Sequence, residues 1–397
     1  MLLTAKQEEG LNIILQRYKN REKYTTIAGY AGTGKTTLVK FAIEALADYG
    51  IDPEKDVCYA AYTGKAAEVL RQKGNPNAIT THKLLYDHFP KPNGGFFRKP
   101  KITLAYKIVV IDEISMLPRE MAELLLNHRV YVICLGDPFQ LPPIDKDSDN
   151  HILDHPHIFL DEIMRQAADS EIIQLTMKIR NQEPIDYFDG NDVKIFPYNQ
   201  LTTGMLQWAD QILTGTNRQR ININNQMRQL LGRGSEPEDG DKVICLRNYW
   251  DEINEDGDAL VNGLIGYLQN SFYTYRDVPR FIKCSSAPFQ VVQANLIDDM
   301  GLTMFDNIEI DKHMIMTGEK CCDWKTSYKL GKLKERYGEI IPKEFAYAYA
   351  ITCHKSQGSE WDKVLVLEEK FPFDKVEHAR WLYTAATRAA NKLVLVR

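Results

Sequence analysis

The chain has 397 residues, of which 44% are hydrophobic and 26% charged, as in a globular protein of two or three domains of roughly 150 residues each. Forty-nine basic and 54 acidic residues give a net charge of −5, which excludes a histone-like protein but permits nucleic-acid binding in a local basic groove. Seven scattered cysteines without a Cys-x-x-Cys pair argue against a zinc ribbon or a disulfide framework.

Short β-rich runs alternate with helical patterns over the first third of the chain, which predicts a parallel sheet covered by helices. The predicted strands there are Tyr24–Ala28, Val57–Tyr62, Lys107–Ile111 and Val130–Leu135. Ile108–Ile111 is apolar without alternation, as expected for a strand that is buried on both faces. Leu160–Arg180 has a helical pattern.

A second α/β unit is predicted after a loop-rich connection. A helix is expected at Asn217–Leu231, and the acidic turn Ser235–Asp241 is interpreted as a domain boundary. Residues 242–342 are β-rich and irregular, with hairpin-sized pieces at Phe281–Cys284 and Phe289–Val292. The α/β pattern then returns, with predicted strands at Val364–Leu367 and Lys392–Val396.

The strongest local motif is a glycine-rich turn between a predicted strand and a predicted helix. It is Gly29-Tyr-Ala-Gly32-Thr-Gly34-Lys35-Thr36, which matches G-x-x-x-x-G-K-[ST]. Glycines let the backbone fold around phosphates, so that its N–H groups and the helix N-terminus face the negative charge. Lys35 is expected to reach the β- and γ-phosphates of a nucleotide, and the Thr36 hydroxyl to hold Mg²⁺.

Two adjacent carboxylates, Asp112 and Glu113, end the next buried strand. Stability does not explain two charges there, whereas ligands bind at the carboxyl ends of strands in open α/β sheets. Asp112 is therefore predicted to hold Mg²⁺, through water, and Glu113 to orient and deprotonate an attacking water. This pair favours hydrolysis of a nucleoside triphosphate over phosphoryl transfer to a small substrate.

Further motifs follow in one order from residue 3 to residue 389. They are Leu3-Thr4-x-x-Gln7, Tyr62-Thr63-Gly64-Lys65-Ala66-Ala67, Thr80-Thr81-His82, Ile111-Asp112-Glu113-Ile-Ser115-Met, Gly136-Asp137-Pro-Phe-Gln140-Leu-Pro-Pro, Met164-Arg165-Gln166, Thr352-Cys-His354-Lys355-Ser-Gln357-Gly358-Ser-Glu360 and Tyr383-Thr384-Ala-Ala-Thr387-Arg388-Ala389. With the glycine-rich loop they resemble the full motif set of a superfamily 1 helicase, and within it the RecD/Dda branch, whose members move 5′ to 3′ on single-stranded DNA.

The resemblance implies roles around a bound ATP. Gln7 has an amide that can pair with N6 and N7 of adenine, although it could also be an exposed residue at a helix entry. Gln140 is similar to a γ-phosphate sensor, and Arg165 and Arg388 to arginines that face the γ-phosphate from the second motor domain. The other implied nucleotide contacts are Gly29, Ala31, Gly32, Thr33, Gly34, Lys35, Thr36, Thr37, Gly358 and Glu360.

The same resemblance implies a track for a single strand of DNA. Its hydroxyl, imidazole and ammonium groups contact phosphates and bases without reading sequence. The implied residues are Thr63, Lys65, Thr81, His82, Thr352, His354 and Lys355. Asn217 is similar to a further backbone contact, or is simply a helix cap.

Two insertions are expected. Between His82 and Lys107 the turn signal Asn93-Gly94 and its aromatic flanks predict a hairpin, about residues 83–107, whose tip exposes Phe96 or Phe97. The resemblance implies that this hairpin is a wedge that splits the duplex. Both rings could instead fold into the core. From Asp241 the sequence resembles the start of an SH3-like barrel, with a turn at Asn262-Gly263.

Two stretches of this second insert stay ambiguous. The aromatic-rich residues 269–288 (Phe272, Tyr273, Tyr275, Phe281) could stack bases, but core packing is the favoured interpretation. The basic stretch Lys320–Arg336 is either a solvated helix face or a patch that contacts a nucleic-acid backbone.

The expected fold is α/β, with motor domain 1A at residues 1–159, motor domain 2A at 160–240 and 343–397, and an SH3-like domain 2B at 241–342. The expected activity is an ATP- and Mg²⁺-dependent DNA helicase that acts on single strands and junctions. No signal peptide or membrane span is apparent, so a cytoplasmic monomer is expected, with other replication or recombination proteins as potential partners. The alternatives are an RNA helicase and a P-loop ATPase that binds nucleic acid without unwinding.

Overall fold

The structure is a computed structural model that describes residues 3–90, 96–142, 150–164, 168–255, 257–337, 339–370 and 374–397. For residues 65, 68, 72, 88, 90, 96, 97 and 335 it describes the backbone alone. The chain divides into two compact units. One comprises residues 1–86, 100–215 and 352–397, and the other comprises residues 87–99 and 216–351.

The first sheet of the larger unit is parallel. Its described strands are β1 (Tyr24–Gly29), β2 (Val57–Ala61), β3 (Ile79–Thr80), β6 (Ile108–Ile111), β7 (Tyr131–Gly136) and β8 (Ile158–Leu160). They are ordered β3-β2-β6-β7-β1-β8, with every pair parallel. The accompanying helices are α1 (Ala5–Lys19), α2 (Lys35–Leu46), α3 (Gly64–Gln72), α4 (Thr81–Leu85) and α5 (Arg119–Asn127).

Alternate residues of β6 serve two hydrophobic cores, one on each face of the sheet. Ile108 and Val110 belong to the core that includes Leu38 of α2, whereas Val109 and Ile111 belong to the core that includes Leu125 of α5. All four strand residues are buried, which confirms the prediction from their unbroken apolar run.

The second sheet of this unit carries the later motifs. Its strands are β9 (Phe188–Asp189), β10 (Val193–Phe196), β11 (Gln211–Thr214), β19 (Ala350–Thr352), β20 (Trp361–Leu367) and β21 (Ala389–Val396). Their order is β19-β11-β20-β21-β10-β9. The pairs β11–β20, β20–β21 and β10–β21 are parallel, and β9 pairs antiparallel with β10. Its helices in the described chain are α6 (Glu171–Arg180), α7 (Thr203–Trp208) and α12 (Lys375–Ala386).

The prediction of a continuous helical pattern over Leu160–Arg180 is wrong at its start. Ile158–Leu160 forms β8 and pairs with β1, Ala168 is helical, and α6 begins at Glu171. Ser170 is the N-cap, since its hydroxyl accepts a hydrogen bond from the Ile173 amide at 3.4 Å. Pairing with the sheet therefore overrides the local helical pattern at Leu160.

The smaller unit contains an antiparallel sheet. Its strands are β12 (Lys242–Cys245), β15 (Ile265–Arg276), β16 (Phe289–Ile297), β17 (Thr303–Asp311) and β18 (Phe345–Tyr347), in the order β17-β16-β15-β12-β18. A separate pair comprises β13 (Tyr249–Ile253) and β14 (Ala259–Leu260). Its described helices are α8 (Asn217–Leu230), α9 (Lys312–Thr317), α10 (Trp324–Gly331) and α11 (Lys334–Tyr337). An SH3-like barrel and the exact domain bounds stay predictions.

The acidic turn at residues 235–241 ends in a buried carboxylate. Arg228 of α8 donates two hydrogen bonds of 3.0 Å to Asp241, and the Tyr349 hydroxyl donates another at 3.0 Å. Asp241 is fully buried, so these bonds supply the partners that a buried charge requires. The turn therefore ties α8 to the first strand of the antiparallel sheet.

Two details of the smaller unit differ from the predictions. Phe281–Cys284 is not a strand, whereas the predicted piece at Phe289 begins β16. The favoured core interpretation of residues 269–288 is also wrong, because Phe272, Tyr273, Tyr275 and Phe281 are exposed. The outer half of β15, which carries three of these rings, extends past the residues that pair with β12.

The predicted hairpin strands are present as β4 (Tyr86–Pro90) and β5 (Phe96–Pro100). Its turn, residues 91–95, lies outside the described residues, as do the side chains of Phe96 and Phe97. The Arg98 guanidinium lies 4.9 Å from the centre of the Trp250 ring, within the same compact unit. In the described chain no helix has both the length and the apolar composition needed to cross a bilayer.

Candidate nucleotide site

The phosphate-binding loop joins β1 to α2 and requires glycine. Gly32 and Gly34 have φ values of 77° and 78°, in the left-handed region. A Cβ on Gly34 would also lie 2.5 Å from the Gln7 amide nitrogen. The Lys35 ammonium donates to the carbonyls of Gly29 at 2.7 Å and Tyr30 at 3.1 Å, which holds it over the loop.

Gln7 is buried beside this loop rather than exposed at the entry to α1. Its amide oxygen accepts from the Thr4 amide at 3.0 Å, and its amide nitrogen donates to the Thr33 carbonyl at 3.2 Å. The Thr4 hydroxyl in turn accepts from the Gln7 amide, which completes a capping box. The exposed alternative is therefore wrong, while the contact of Gln7 with adenine stays a prediction.

The two predicted carboxylates lie at the carboxyl end of β6. Asp112 accepts a hydrogen bond from the Glu113 amide at 3.0 Å. Burial, with repulsion from Glu113 as the second cause, raises the pKa of Asp112 to about 6. Glu113 has a left-handed backbone, φ 51°, so the strand conformation of β6 does not continue through it.

Glu113 has one carboxylate oxygen in use and one without a partner. Oε1 accepts from the Gln140 side-chain amide at 3.3 Å. Oε2 is buried and has no hydrogen-bond partner in the part of the chain that the structure describes. A buried, unpartnered carboxylate oxygen costs free energy, so its retention indicates a ligand such as an attacking water.

Gln140 is positioned by the turn that follows β7. Asp137 accepts from the Phe139 amide at 2.9 Å and from the Tyr383 hydroxyl at 2.6 Å. Burial raises the pKa of Asp137, although its hydrogen bonds and the charge of Lys35 oppose that effect. The turn thus places Gln140 within hydrogen-bond distance of Glu113, while its role as a γ-phosphate sensor stays a prediction.

Arg388 brings a positive charge from the second sheet to the acidic pair. It is only 5% exposed, and it lies between α12 and β21. Hydrogen bonds of 3.2 Å to the Thr384 and Ser359 carbonyls fix its guanidinium. Its Nη2 lies 3.8 Å from Glu113 Oε1, which places the predicted arginine beside the predicted base.

Tyr383 is a site residue to which the sequence assigned no role. Its hydroxyl donates to Asp137 and accepts from the Ala31 amide of the phosphate-binding loop at 2.9 Å. One side chain of α12 therefore joins two motifs of the first sheet. Its position in the Tyr383–Ala389 motif is the feature of the sequence that could have identified it as a site residue. The bridging role of its hydroxyl is visible only in the structure.

These groups surround a cavity of about 370 Å³ between the two sheets. The lining includes the predicted residues Ala31, Gly32, Lys35, Thr36, Asp112, Glu113, Gln140, Gly358, Glu360 and Arg388. Glu360 also forms an ion pair of 2.6 Å with Lys73. Gly358 has a φ of 73°, and a Cβ there would lie 3.6 Å from the Thr63 hydroxyl, so it links the cavity to the first predicted track motif.

Thr36 and Asp112 fit Mg²⁺ by the chemistry of their oxygens. Mg²⁺ usually takes one or two protein ligands and completes its octahedron with phosphates and waters. No group of three or more His, Cys, Asp or Glu side chains in the described ranges could hold a metal. A cation here would take its other oxygens from a nucleotide and from water, and it would oppose the burial and the repulsion from Glu113 that raise the pKa of Asp112.

The predicted track residues lie at the carboxyl ends of strands at one edge of each sheet. Thr81 and His82 follow β3, and Thr352 ends β19. Both edge strands lead into the same Thr-x-His-Lys sequence, Thr80–Lys83 and Thr352–Lys355. The two sheets therefore present equivalent edges.

Several of these side chains are more buried than is expected for residues that contact a strand of DNA. Thr63 caps α3 by accepting from the Ala66 amide at 3.1 Å. The Thr81 hydroxyl is fully buried, with no hydrogen-bond partner in the described chain, and His82 is buried beside it. His354 is partly buried, and burial lowers the pKa of His354. Contact of these groups and of Lys355 with DNA stays a prediction.

Asn217 is not the helix cap. The cap of α8 is Thr216, whose hydroxyl accepts from the Gln219 amide at 3.2 Å. Asn217 is exposed and accepts from Arg220 Nε at 3.1 Å. The capping alternative is therefore wrong, and the alternative of a nucleic-acid contact stays a prediction.

Four predicted site residues are not fully described. Arg165 lies outside the described residues, and the preceding Met164 donates its amide to the Gly32 carbonyl at 3.0 Å. That bond attaches the chain before Arg165 to the loop of the first sheet. Lys65 is the second residue of α3, and only its backbone is described. The same holds for the two hairpin phenylalanines, of which the structure describes the backbone alone.

Family models match both sheets of the larger unit. Residues 3–193 match an AAA domain, and residues 347–396 match a UvrD-like helicase C-terminal domain. The chain is 30% identical over 190 residues to the ATP-dependent DNA helicase dda of Enterobacteria phage T4, which covers 45% of this chain and 43% of that protein. The chain is therefore similar to the superfamily 1 helicases, and among them to the RecD/Dda branch.

A second relative matches nearly the whole chain. The ATP-dependent RecD2 DNA helicase of Deinococcus radiodurans is 25% identical over 411 residues, which is 97% of this chain and 48% of that protein. The chain therefore spans about half the length of each of these two relatives. A solved structure of Pif1 helicase from Bacteroides in complex with ADP-AlF3 and ssDNA is 18% identical, with a TM-score of 0.49, over 100% of this chain and 92% of that one.

Proposed function

We propose that this helicase hydrolyses ATP in the cavity between its two parallel sheets and uses the cycle to move 5′ to 3′ along single-stranded DNA and separate duplexes. The observation that carries the proposal is the meeting of Glu113, Gln140 and Arg388. A base and its orienting amide come from the first sheet, and the cation comes from the second. Hydrolysis at this point therefore depends on how the sheets face each other.

The residues divide the work as follows. Lys35 and the amides of the loop bind the β- and γ-phosphates, which their position over the loop supports. Thr36 and Asp112 would hold Mg²⁺, which when bound neutralises charge on the phosphate oxygens. Glu113 Oε2 accepts the proton of the attacking water, and Gln140 keeps that carboxylate oriented. Arg388 stabilises negative charge that grows in the transition state.

Direct hydrogen bonds between the sheets supply a means of coupling. Besides the bonds of Tyr383, the Leu141 amide donates to the Thr384 hydroxyl at 2.9 Å, and the Gln357 side chain donates to the Leu141 carbonyl at 2.5 Å. Leu141 directly follows Gln140, and Gln357 directly follows the Thr352–Ser356 edge of the second sheet. A change in nucleotide state at Gln140 would therefore alter the bonds that lead to a predicted track motif.

DNA as the substrate and 5′ to 3′ as the direction are supported by the motif resemblance and by the relatives, two of which are named ATP-dependent DNA helicases. The test is unwinding of matched duplexes with a 5′ tail or a 3′ tail, with and without ATP. We expect ATP-dependent unwinding of the 5′-tailed duplex. Unwinding restricted to the 3′-tailed duplex contradicts the direction, and activity restricted to RNA duplexes contradicts the substrate.

The hairpin is proposed as the wedge that separates the strands. Its two strands support this role, and a planar ring at its tip could offset part of the cost of unstacking a base pair. The double change Phe96→Ala, Phe97→Ala should leave DNA-stimulated ATPase activity intact and sharply reduce unwinding. Ile102→Ala is the control, since Ile102 follows the hairpin and is 88% exposed. Equal loss of both activities, or of neither, contradicts the wedge.

A further inference from the structure

The basic stretch Lys320–Arg336 separates into two groups in the structure. Lys320 forms an ion pair with Glu344 at 3.1 Å, and Lys334 forms one with Asp251 at 2.9 Å and another with Glu339. The other basic side chains are exposed and have no acidic partner within 4.0 Å among the described residues; they are Lys325, Lys329, Lys332 and Arg336. Internal ion pairs therefore leave most of this stretch available to an external anion.

Exposed aromatic rings lie among these free cations. Trp324 and Tyr328, one turn apart on α10, stack with ring centres 5.5 Å apart and planes 14° apart. They are 76% and 52% exposed. The Lys332 ammonium lies 4.4 Å from the centre of the Tyr328 ring. We call Trp324, Lys325, Tyr328, Lys329 and Lys332 the α10 ladder.

Stability does not explain the α10 ladder. The same helical segment is anchored on its other side by Leu330 and Leu333, in a core cluster with Phe289. An exposed tryptophan adds little to that core, because the free energy of burial scales with the apolar area removed from water. A second pair of exposed aromatic rings lies nearby. The ring centres of Phe281 and Tyr337 are 6.2 Å apart, and the Arg336 guanidinium carbon lies 5.3 Å from the centre of the Tyr337 ring.

We propose that the α10 ladder binds single-stranded nucleic acid at a site separate from the motor track. Bases would stack on Trp324 and Tyr328, and the ammonium groups of Lys325 and Lys329, about 6 Å apart along the helix axis, would contact phosphates. A single strand is favoured over an acidic peptide because it alone offers both flat rings and regularly spaced negative charges. The contact goes beyond the proposed function, since it involves no residue of the nucleotide cavity.

Fluorescence tests stacking at this position directly. The chain has five tryptophans, so the intact protein is compared with Trp324→Phe while a single-stranded oligonucleotide of about 40 residues is added. Stacking predicts quenching that is larger in the intact protein, with the difference assignable to Trp324. The conservative ring is expected to keep the affinity within about threefold. Equal quenching in both proteins contradicts the proposal.

Affinity tests the site with strands of two lengths. Trp324→Ala, Tyr328→Ala should weaken binding of the ~40-residue strand at least tenfold and leave a strand of ~8 residues, which is short enough to occupy the track alone, unchanged. For the long strand, the logarithm of the binding constant falls linearly with the logarithm of the salt concentration. Lys325→Gln, Lys329→Gln should reduce the size of that slope by about 1.4, at roughly 0.7 for each of two lost phosphate contacts. Lys370→Gln, Lys375→Gln, which changes two exposed lysines elsewhere, should do neither.

The outcomes distinguish this proposal from the proposed function. If the short strand fails to bind the intact protein, the motor track is wrong, whereas unchanged affinity of Trp324→Ala, Tyr328→Ala for the long strand contradicts the ladder. Equal weakening of short and long strands shows that the ladder is not a separate site. Competition by polyglutamate as effective as that by an equally charged oligonucleotide indicates an acidic protein partner and overturns the proposal.

Discussion

The two parallel sheets of the larger unit have the same kind of scaffold but different chemistry at their carboxyl edges. The first sheet carries the glycine-rich loop, the acidic pair and Gln140. The second has no such loop in its described residues, and instead supplies Arg388 and Tyr383. The two sheets nevertheless share one feature, because an edge strand of each, β3 or β19, leads into the same Thr-x-His-Lys sequence.

This difference shows that neither sheet contains a complete site. Glu113 has a buried oxygen without a partner in the described chain, and the cation nearest to its other oxygen belongs to the opposite sheet. The groups that bind the nucleotide are concentrated on the first sheet. The groups whose position depends on how closely the two sheets approach each other are on the second sheet. A motor requires such a division, because the rate of hydrolysis then depends on the position of one sheet relative to the other.

The largest expected effect comes from removing the contribution of the second sheet. Arg388→Ala should lower ATP turnover by ~10³–10⁵ while nucleotide affinity stays within about tenfold, as for an arginine that acts in the transition state. Steady-state ATPase assays and nucleotide titration measure the two quantities. Arg380→Ala, on the same helix, is the control and should retain turnover within a few-fold. Survival of turnover in Arg388→Ala would show that the first sheet is sufficient alone.

Removing the base of the first sheet should have the next largest effect. Glu113→Gln keeps the shape of the side chain and its bond to Gln140 but cannot accept a proton, so turnover should fall by ~10²–10⁴. ATP binding should persist, which separates this variant from Lys35→Ala, in which binding is lost as well. A matched change of an exposed acid, Glu120→Gln, should have no effect. Normal turnover in Glu113→Gln contradicts the assignment of the base.

Tyr383→Phe sharpens the comparison by removing one bridge between the sheets. It leaves the Ala31 amide and Asp137 with one partner fewer, so we expect nucleotide affinity to fall by roughly tenfold. Tyr349→Phe is the matched control, because it removes a similar hydroxyl–carboxylate bond to Asp241 in the smaller unit. Both variants should lose stability, but only Tyr383→Phe should bind ATP more weakly. Equal affinities in the two variants would contradict a bridging role.

The smallest effect concerns stability without nucleotide or Mg²⁺. The folded pKa of Asp112, about 6, exceeds its ordinary value of 3.8, so its ionised form destabilises the fold above pH 6. Asp112→Asn should therefore be more stable than the intact protein at pH 8, by about 3 kcal/mol. The advantage should shrink as the pH falls through 6 and vanish below about 4. A constant difference across this range, in denaturant titrations, would contradict the role of charge.

The sequence was sufficient for features that depend on local pattern. The glycine-rich loop, the strand Ile108–Ile111 and the acidic pair were predicted because each has a composition that few other structures need. The hairpin strands were predicted from a turn signal and its flanks. The helicase family followed from the order of many motifs, no one of which except the loop is specific alone.

Features that depend on distant partners were not predictable. Leu160 has a helical sequence environment but joins a strand, because β1 offers it a pairing edge. The aromatic residues Phe272, Tyr273, Tyr275 and Phe281 have a core-like composition but are exposed, and the part of β15 that carries three of them pairs with β16 and not with β12. The bridge through Tyr383 joins residues more than 240 positions apart, so no local pattern encodes it.

The central claim is that an arginine from the second sheet completes a site on the first and so drives 5′ to 3′ movement. It is tested most directly by ATP-dependent displacement of streptavidin from biotin at either end of a single-stranded DNA. The account predicts displacement from the 3′ end by the intact protein and none by Arg388→Ala at equal DNA occupancy. Displacement from the 5′ end alone, or undiminished displacement by Arg388→Ala, would contradict it.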